Sequence, residues 1–85
     1  MLSSKPARTL ASIFANPVPA DIRWADIETL FRALGAEIEQ GSGSRIRILL
    51  NGRRMTFHAP HPQPVIIKDA VRSVRCFLME AGIQP

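Results

Sequence analysis

The chain has 85 residues, of which 46% are hydrophobic and 21% charged, a composition typical of one small globular domain. Its formal net charge of +4 favours an anionic partner, above all a nucleic acid, although charge that only maintains solubility is an alternative. One cysteine excludes an intrachain disulfide, no apolar run approaches the ~20 residues of a bilayer-spanning helix, and none resembles a signal peptide, so we expect a cytoplasmic protein without membrane association.

A short first helix is predicted over residues 6–14. Its apolar residues recur at helical spacing: Leu10, Ile13 and Phe14. Prolines at positions 17 and 19 end it, because proline cannot donate a backbone hydrogen bond. We interpret this helix as an addition to the main domain. Residues 1–21 are then a short helix with a proline-containing linker, and residues 22–85 are the main domain.

A second helix and three strands follow in the sequence. Residues 24–34 carry an apolar stripe at helical spacing, and Gly35 suits the end of that helix. Apolar and polar side chains alternate over residues 36–40, 44–50 and 53–58, which predicts three strands with one face in the core.

The dipeptide Asn51-Gly52 predicts a two-residue hairpin turn, because a type I′ turn needs positive φ at both central residues. Counting outward from this turn places Arg45 opposite His58. One face of the hairpin then holds Arg45, Arg47, Leu49, Arg54, Thr56 and His58. The core face holds Ile46, Ile48, Leu50, Met55 and Phe57. Three arginines on one small surface indicate phosphate binding, with a merely solvated sheet face as the alternative.

A proline-rich loop over residues 59–64 leads to the last helix, predicted over residues 68–81 and ended by Gly82. Opposite its apolar stripe lies a second basic row, with a solvated helix face as the alternative interpretation: Lys68, Arg72 and Arg75. The predicted fold class is therefore α+β, with a three-stranded antiparallel sheet covered by helices on one face. The order α-β-β-β-α, plus a short extra N-terminal helix, resembles the double-stranded-RNA-binding domain.

The two histidines, His58 and His61, are the candidates for acid–base chemistry near neutral pH. No cysteine or carboxylate cluster accompanies their His-x-x-His spacing, so we expect no zinc site and no cofactor. The loop over residues 41–44 offers backbone N–H groups to an anion, but it lacks the lysine of a nucleotide-binding P-loop. Cys76 is expected to be a small packed residue beside the apolar stripe of the last helix.

These residues resemble the HicA family of toxins from bacterial toxin–antitoxin systems. The matching parts are the second helix ending in Leu34-Gly35, the loop Gly41-Ser42-Gly43-Ser44-Arg45, the segment from Arg53-Arg54 to Pro60-His61, and the last helix ending in Glu80-Ala81-Gly82-Ile83. They lie between residues 22 and 83, so the first helix falls outside the resemblance.

The resemblance implies a fold like that of double-stranded-RNA-binding domains, metal-free cleavage of mRNA, and neutralisation by a HicB-type antitoxin. The family motif Gly-x-Gly-Ser-His maps onto Gly41, Gly43 and Ser44, with Arg45 at the position of the catalytic histidine. Arginine cannot act as a general base near neutral pH, because its guanidinium group stays protonated there.

Three alternatives for catalysis follow from Arg45. The acid–base group is His58, opposite Arg45, or it is His61, which matches the histidine of the family's Pro-x-His segment, or the protein binds RNA or its antitoxin without cutting. The leading hypothesis is an RNA-cleaving toxin whose RNA contacts are Ser44, Arg45, Arg47, Arg54, Lys68, Arg72 and Arg75. A non-catalytic binding module is the alternative. DNA binding is a third option, without helix-turn-helix spacing to support it.

Overall fold

A computed structural model describes residues 2–41, 43, 45–58 and 66–85 of the chain. The elements in these residues are α1 (Ser4–Ile13), α2 (Trp24–Ala33), β1 (Glu37–Gln40), β2 (Arg45–Leu50), β3 (Arg53–His58) and α3 (Lys68–Glu80). The predicted α+β class and the order α-β-β-β-α with an extra N-terminal helix are confirmed. The largest difference in bounds is at α1, which begins at Ser4. The predicted loop over residues 59–64 lies outside the described residues.

The hairpin of β2 and β3 has the predicted register. Asn51 and Gly52 have φ values of 51° and 78°, as a type I′ turn requires. Arg45 pairs with His58 in the antiparallel ladder, and the remaining pairs follow from it. Burial along β2 alternates strictly between exposed and buried side chains, so a slip of one residue would bury its arginines.

β1 completes the sheet on the other side of β2, giving the strand order β1-β2-β3. In this register Glu37 is the partner of Leu49, and Glu39 is the partner of Arg47. Cross-strand partners lie on the same side of a sheet. Both glutamates therefore share the face of the β2 arginines, a placement that the sequence alone does not predict.

The helices cover the opposite, apolar face of the sheet. The core residues from the sheet are Ile46, Ile48, Leu50 and Phe57. Those from α2 and α3 are Ile27, Leu30, Phe31, Val71, Val74, Phe77 and Leu78. Trp24 stacks on Phe57, with ring centroids 5.0 Å apart, and so links the start of α2 to β3. This packing leaves the charged face of the sheet uncovered by the described helices.

α1 is packed into the same core. Leu10 and Ile13 are buried, and Ile13 has no exposed surface. The Arg75 side chain on α3 donates two hydrogen bonds to the end of α1, from Nε to the Ile13 carbonyl at 2.8 Å and from Nη2 to the Ala15 carbonyl at 2.7 Å. The first helix thus shares the core of the main domain. Each helix in the described residues is too short or too polar to span a bilayer.

Candidate nucleic-acid interface

The exposed side of the sheet, here called the sheet face, is built from residues of all three strands: Glu37, Glu39, Arg45, Arg47, Leu49, Arg54, Thr56 and His58. They form three rows that run across the strands. The first row is Glu37, Leu49 and Arg54, the second is Glu39, Arg47 and Thr56, and the third is Arg45 and His58. The structure therefore brings the three predicted arginines and His58 onto one surface.

The charges on the sheet face are separated by strand. The carboxylates lie on β1, whereas the guanidinium groups lie on β2 and β3. One ion pair crosses this boundary, with Arg47 Nη2 at 3.5 Å from Glu39 Oε1. Both side chains of that pair are more than 60% exposed, so it stabilises the fold by less than about 1 kcal/mol and leaves Arg47 free to exchange Glu39 for a phosphate.

A recess of about 400 Å³ lies in the first two rows, and we call it the sheet recess. Its lining includes Glu37, Glu39, Arg47, Leu49, Arg54 and Thr56. Leu49 is 37% exposed there, which makes it one of three large exposed hydrophobic residues in the described part of the chain. Carboxylates, guanidinium groups and an apolar side chain thus meet in one concave surface.

A second recess, of about 360 Å³, lies between β3 and α3, and we call it the edge recess. Its lining includes Arg54, Met55, Arg72, Cys76 and Glu80. Arg54 and Met55 line both recesses, so the two adjoin at β3. The basic row of α3 is therefore continuous with the sheet face through Arg72.

Cys76 is exposed in the edge recess, so the prediction that it would be packed is wrong. Its neighbour in the basic row, Arg72, forms an ion pair with Asp69 at 2.8 Å on the surface of α3. Lys68 is exposed at the start of the same helix. Arg75 is half-buried and bonded to α1, and it therefore has a structural role whether or not it contacts RNA.

The glycine-rich loop before β2 is described only at Gly41 and Gly43. The Gly41 N–H donates to the Arg45 carbonyl at 2.8 Å, so this donor closes the turn rather than facing an anion. Ser44 and His61, both predicted site residues, lie outside the described residues. Among the residues described, no group of three His, Cys, Asp or Glu side chains is arranged to hold a metal ion.

Comparison with protein families matches residues 24–83 to the HicA toxin of bacterial toxin–antitoxin systems. The chain belongs to the HicA toxin family. This match covers α2, the whole sheet and α3, and with them every residue of the sheet face. Neither the curated proteins nor the solved structures contain a match to the chain. The matched residues leave out α1, although α1 contributes to the HicA domain's core.

Proposed function

We propose that this HicA-family toxin binds RNA on its sheet face, cleaves mRNA, and is neutralised by a HicB-type antitoxin in the bacterial cytoplasm. The observation that carries the proposal is the pairing of Arg45 with His58 across β2 and β3, beside two further arginines. A permanent cation next to an imidazole supplies the two kinds of group that cleavage at a ribose 2′-hydroxyl needs.

The reaction would begin when a general base removes the proton of the 2′-hydroxyl. The resulting oxygen attacks the adjacent phosphorus, and the bond to the 5′-oxygen breaks as that oxygen receives a proton from a general acid. Arg45 would bind the charge that develops on the phosphorane, because a guanidinium donates to two phosphate oxygens at once. His58 or His61 would act as the general base that removes the 2′-hydroxyl proton and as the general acid that protonates the 5′-oxygen.

The basic surface gives the RNA backbone a route beyond this pair. From Arg45 and Arg47 in the centre of the sheet, guanidinium groups continue to Arg54 on β3 and to Arg72 across the edge recess. Such a row neutralises successive phosphates and releases their counterions. Ser44, Lys68 and Arg75 complete the set of residues proposed to contact RNA.

Removal of both histidines tests the catalytic proposal. His58→Ala combined with His61→Ala is expected to abolish RNA cleavage and growth inhibition, and each single variant shows how the role is divided. RNA affinity measured by fluorescence anisotropy is the control, and we expect it to be largely kept because the arginines remain. Full cleavage by the double variant would show that the histidine assignment is wrong.

A non-catalytic binding protein is the second candidate, and the arginine at position 45 of the family motif favours it. Under this alternative, RNA incubated with pure protein is bound and then recovered intact. A HicB-type reading frame next to the gene would favour the toxin with its antitoxin.

A further inference from the structure

The sheet recess has a composition that a phosphate site alone does not explain. Two glutamates on β1 repel phosphate, and Leu49 offers nothing to an anion, yet all three line the same concave surface as Arg47 and Arg54. A volume of about 400 Å³ is within the usual range for sites that hold a small organic group. An unstacked nucleobase combines an apolar ring face with a polar edge, and it fits this mixture.

Glu37 is the side chain best placed to recognise the edge of a base. It is exposed, it lies directly across from Leu49, and it takes part in none of the ion pairs formed by the described residues. Glu39, by contrast, is paired with Arg47. An ionised carboxylate only accepts hydrogen bonds, so it selects a base edge that presents donors.

Guanine is the base that matches such a carboxylate on both oxygens. Its Watson–Crick edge presents the N1–H and N2–H donors side by side, whereas adenine and cytosine present one donor beside an acceptor. Uracil presents its N3–H between two carbonyl oxygens, which a carboxylate repels. A base can offer this edge to a protein only when it is unpaired, so the ligand is single-stranded.

Resting on the proposed RNA binding, we propose that the sheet recess is a guanine subsite for single-stranded RNA. The Glu37 carboxylate accepts from N1–H and N2–H, Leu49 contacts the ring, and Arg54 binds the adjoining phosphate. The row of Arg45 and His58 lies four residues before Leu49 on β2, about 14 Å away at the usual rise of a strand. The guanosine therefore lies on the same surface as the phosphate that is cut, separated from it by the row of Arg47.

Binding of short RNAs with one variable base tests this subsite. The probes are 2′-O-methyl uridine nonamers, which lack the attacking hydroxyl, with guanine, hypoxanthine, adenine, cytosine or uracil at the central position. We expect guanine to bind about tenfold more tightly than uracil, as for one bidentate base contact. Hypoxanthine, which lacks the N2 amine, is expected to fall between them.

Three glutamate variants show which side chain causes the preference for guanine. Glu37→Gln keeps the shape of the side chain but replaces one acceptor with a donor, so the ratio of guanine to uracil affinity is expected to fall to near one. Glu39→Gln should reduce that ratio less. Glu28→Gln, which removes a charge from the Glu28–Arg32 pair on α2, is the matched control and should leave the ratio unchanged.

The outcomes separate this inference from the function on which it rests. RNA binding with equal affinity for all five bases, or a guanine preference that survives Glu37→Gln, overturns the subsite and leaves RNA binding intact. Absence of binding to any RNA overturns both. If the sheet recess binds only the antitoxin, no RNA is bound, and Glu37→Gln loses antitoxin binding.

Discussion

Arg45 is placed to bind a phosphate but not to transfer a proton. It begins β2 and pairs with His58, and the resemblance to the family motif implies that it occupies the position of the catalytic histidine. Because its side chain keeps its charge at all physiological pH values, Arg45 can bind a phosphate but cannot take up a proton. Another side chain must then transfer the proton in an active enzyme, and among the described residues the candidate is His58, the cross-strand partner of Arg45.

Arg45→His is the substitution that distinguishes an active ribonuclease from a protein that has lost catalysis and only binds RNA. If Arg45 stabilises the phosphorane, the variant is expected to cleave RNA about 10²–10³-fold more slowly, as when one such donor is removed from other active sites. Arg53→His, at the other end of the β2–β3 hairpin, is the control, and single-turnover cleavage of labelled RNA is the measurement. Cleavage that appears only in Arg45→His would show that the natural protein binds RNA without cutting it.

At the scale of the elements, α1 depends on α3 for its position. The carbonyls of Ile13 and Ala15 lie at the end of α1, where a helix has no internal donors left for them. Arg75 supplies two charged donors to these carbonyls, and Ile13 adds a fully buried side chain. The first helix is therefore held by both polar and apolar contacts.

Arg75→Ala is expected to lower the free energy of unfolding by about 2 kcal/mol, because it removes two hydrogen bonds from a charged donor. The control is Arg72→Ala on the same helix, whose exposed ion pair with Asp69 accounts for less than about 1 kcal/mol. Urea denaturation followed by circular dichroism measures both. Equal midpoints for the two variants would contradict the structural role of Arg75.

Local sequence patterns predicted the helices, the strands and the hairpin register well. They did not predict contacts between residues far apart in the sequence. The register of β2 and β3 follows from Asn51-Gly52 and from burial of alternate residues, both of which are visible in the sequence. The alternation in β1 was equally visible, but it does not say which strand β1 joins, so Glu37 and Glu39 were not placed beside the arginines. Arg75 was predicted to contact RNA as part of the basic row, and its bonds to α1 were missed because the docking site of α1 is not encoded locally.

At the scale of the whole molecule, acidic and basic side chains are separated along one direction across the sheet. The sheet face is acidic at β1 and basic from β2 to β3, and the basic part continues over the edge recess to α3. A polyanion is therefore drawn across β3 and away from β1. This polarity defines a path for the RNA that we propose as the ligand, which the net charge alone does not.

Arg72→Ala tests the proposed RNA path over the edge recess, with Arg32→Ala as the matched control. Arg72 and Arg32 both form exposed helical ion pairs at 2.8 Å, but only Arg72 adjoins the sheet face. We expect Arg72→Ala to reduce the slope of log affinity against log salt concentration by about 0.7, the value for one phosphate of a single strand. Arg32→Ala should leave the slope unchanged.

The exposed thiol of Cys76 gives an independent measurement of the same path. RNA bound over the edge recess should slow alkylation of Cys76 in proportion to the fraction of protein bound. A cysteine placed on α1 by Arg8→Cys, with Cys76→Ser, reports on a surface away from the path and should react at the same rate with and without RNA. Equal protection of both thiols would argue against a directed path.

The side chain of Asn51 has a consequence for the kinetics of folding. Its Nδ2 donates to the Ala81 carbonyl at 2.8 Å, so one residue both forms the hairpin turn and holds the end of α3. The turn is local and closes early, whereas this hydrogen bond joins residues 30 positions apart and is expected to form after the transition state. Asn51→Asp keeps a residue that tolerates the turn but loses the donor. In stopped-flow experiments it should unfold about fivefold faster, for a loss of ~1 kcal/mol, and fold at nearly the same rate.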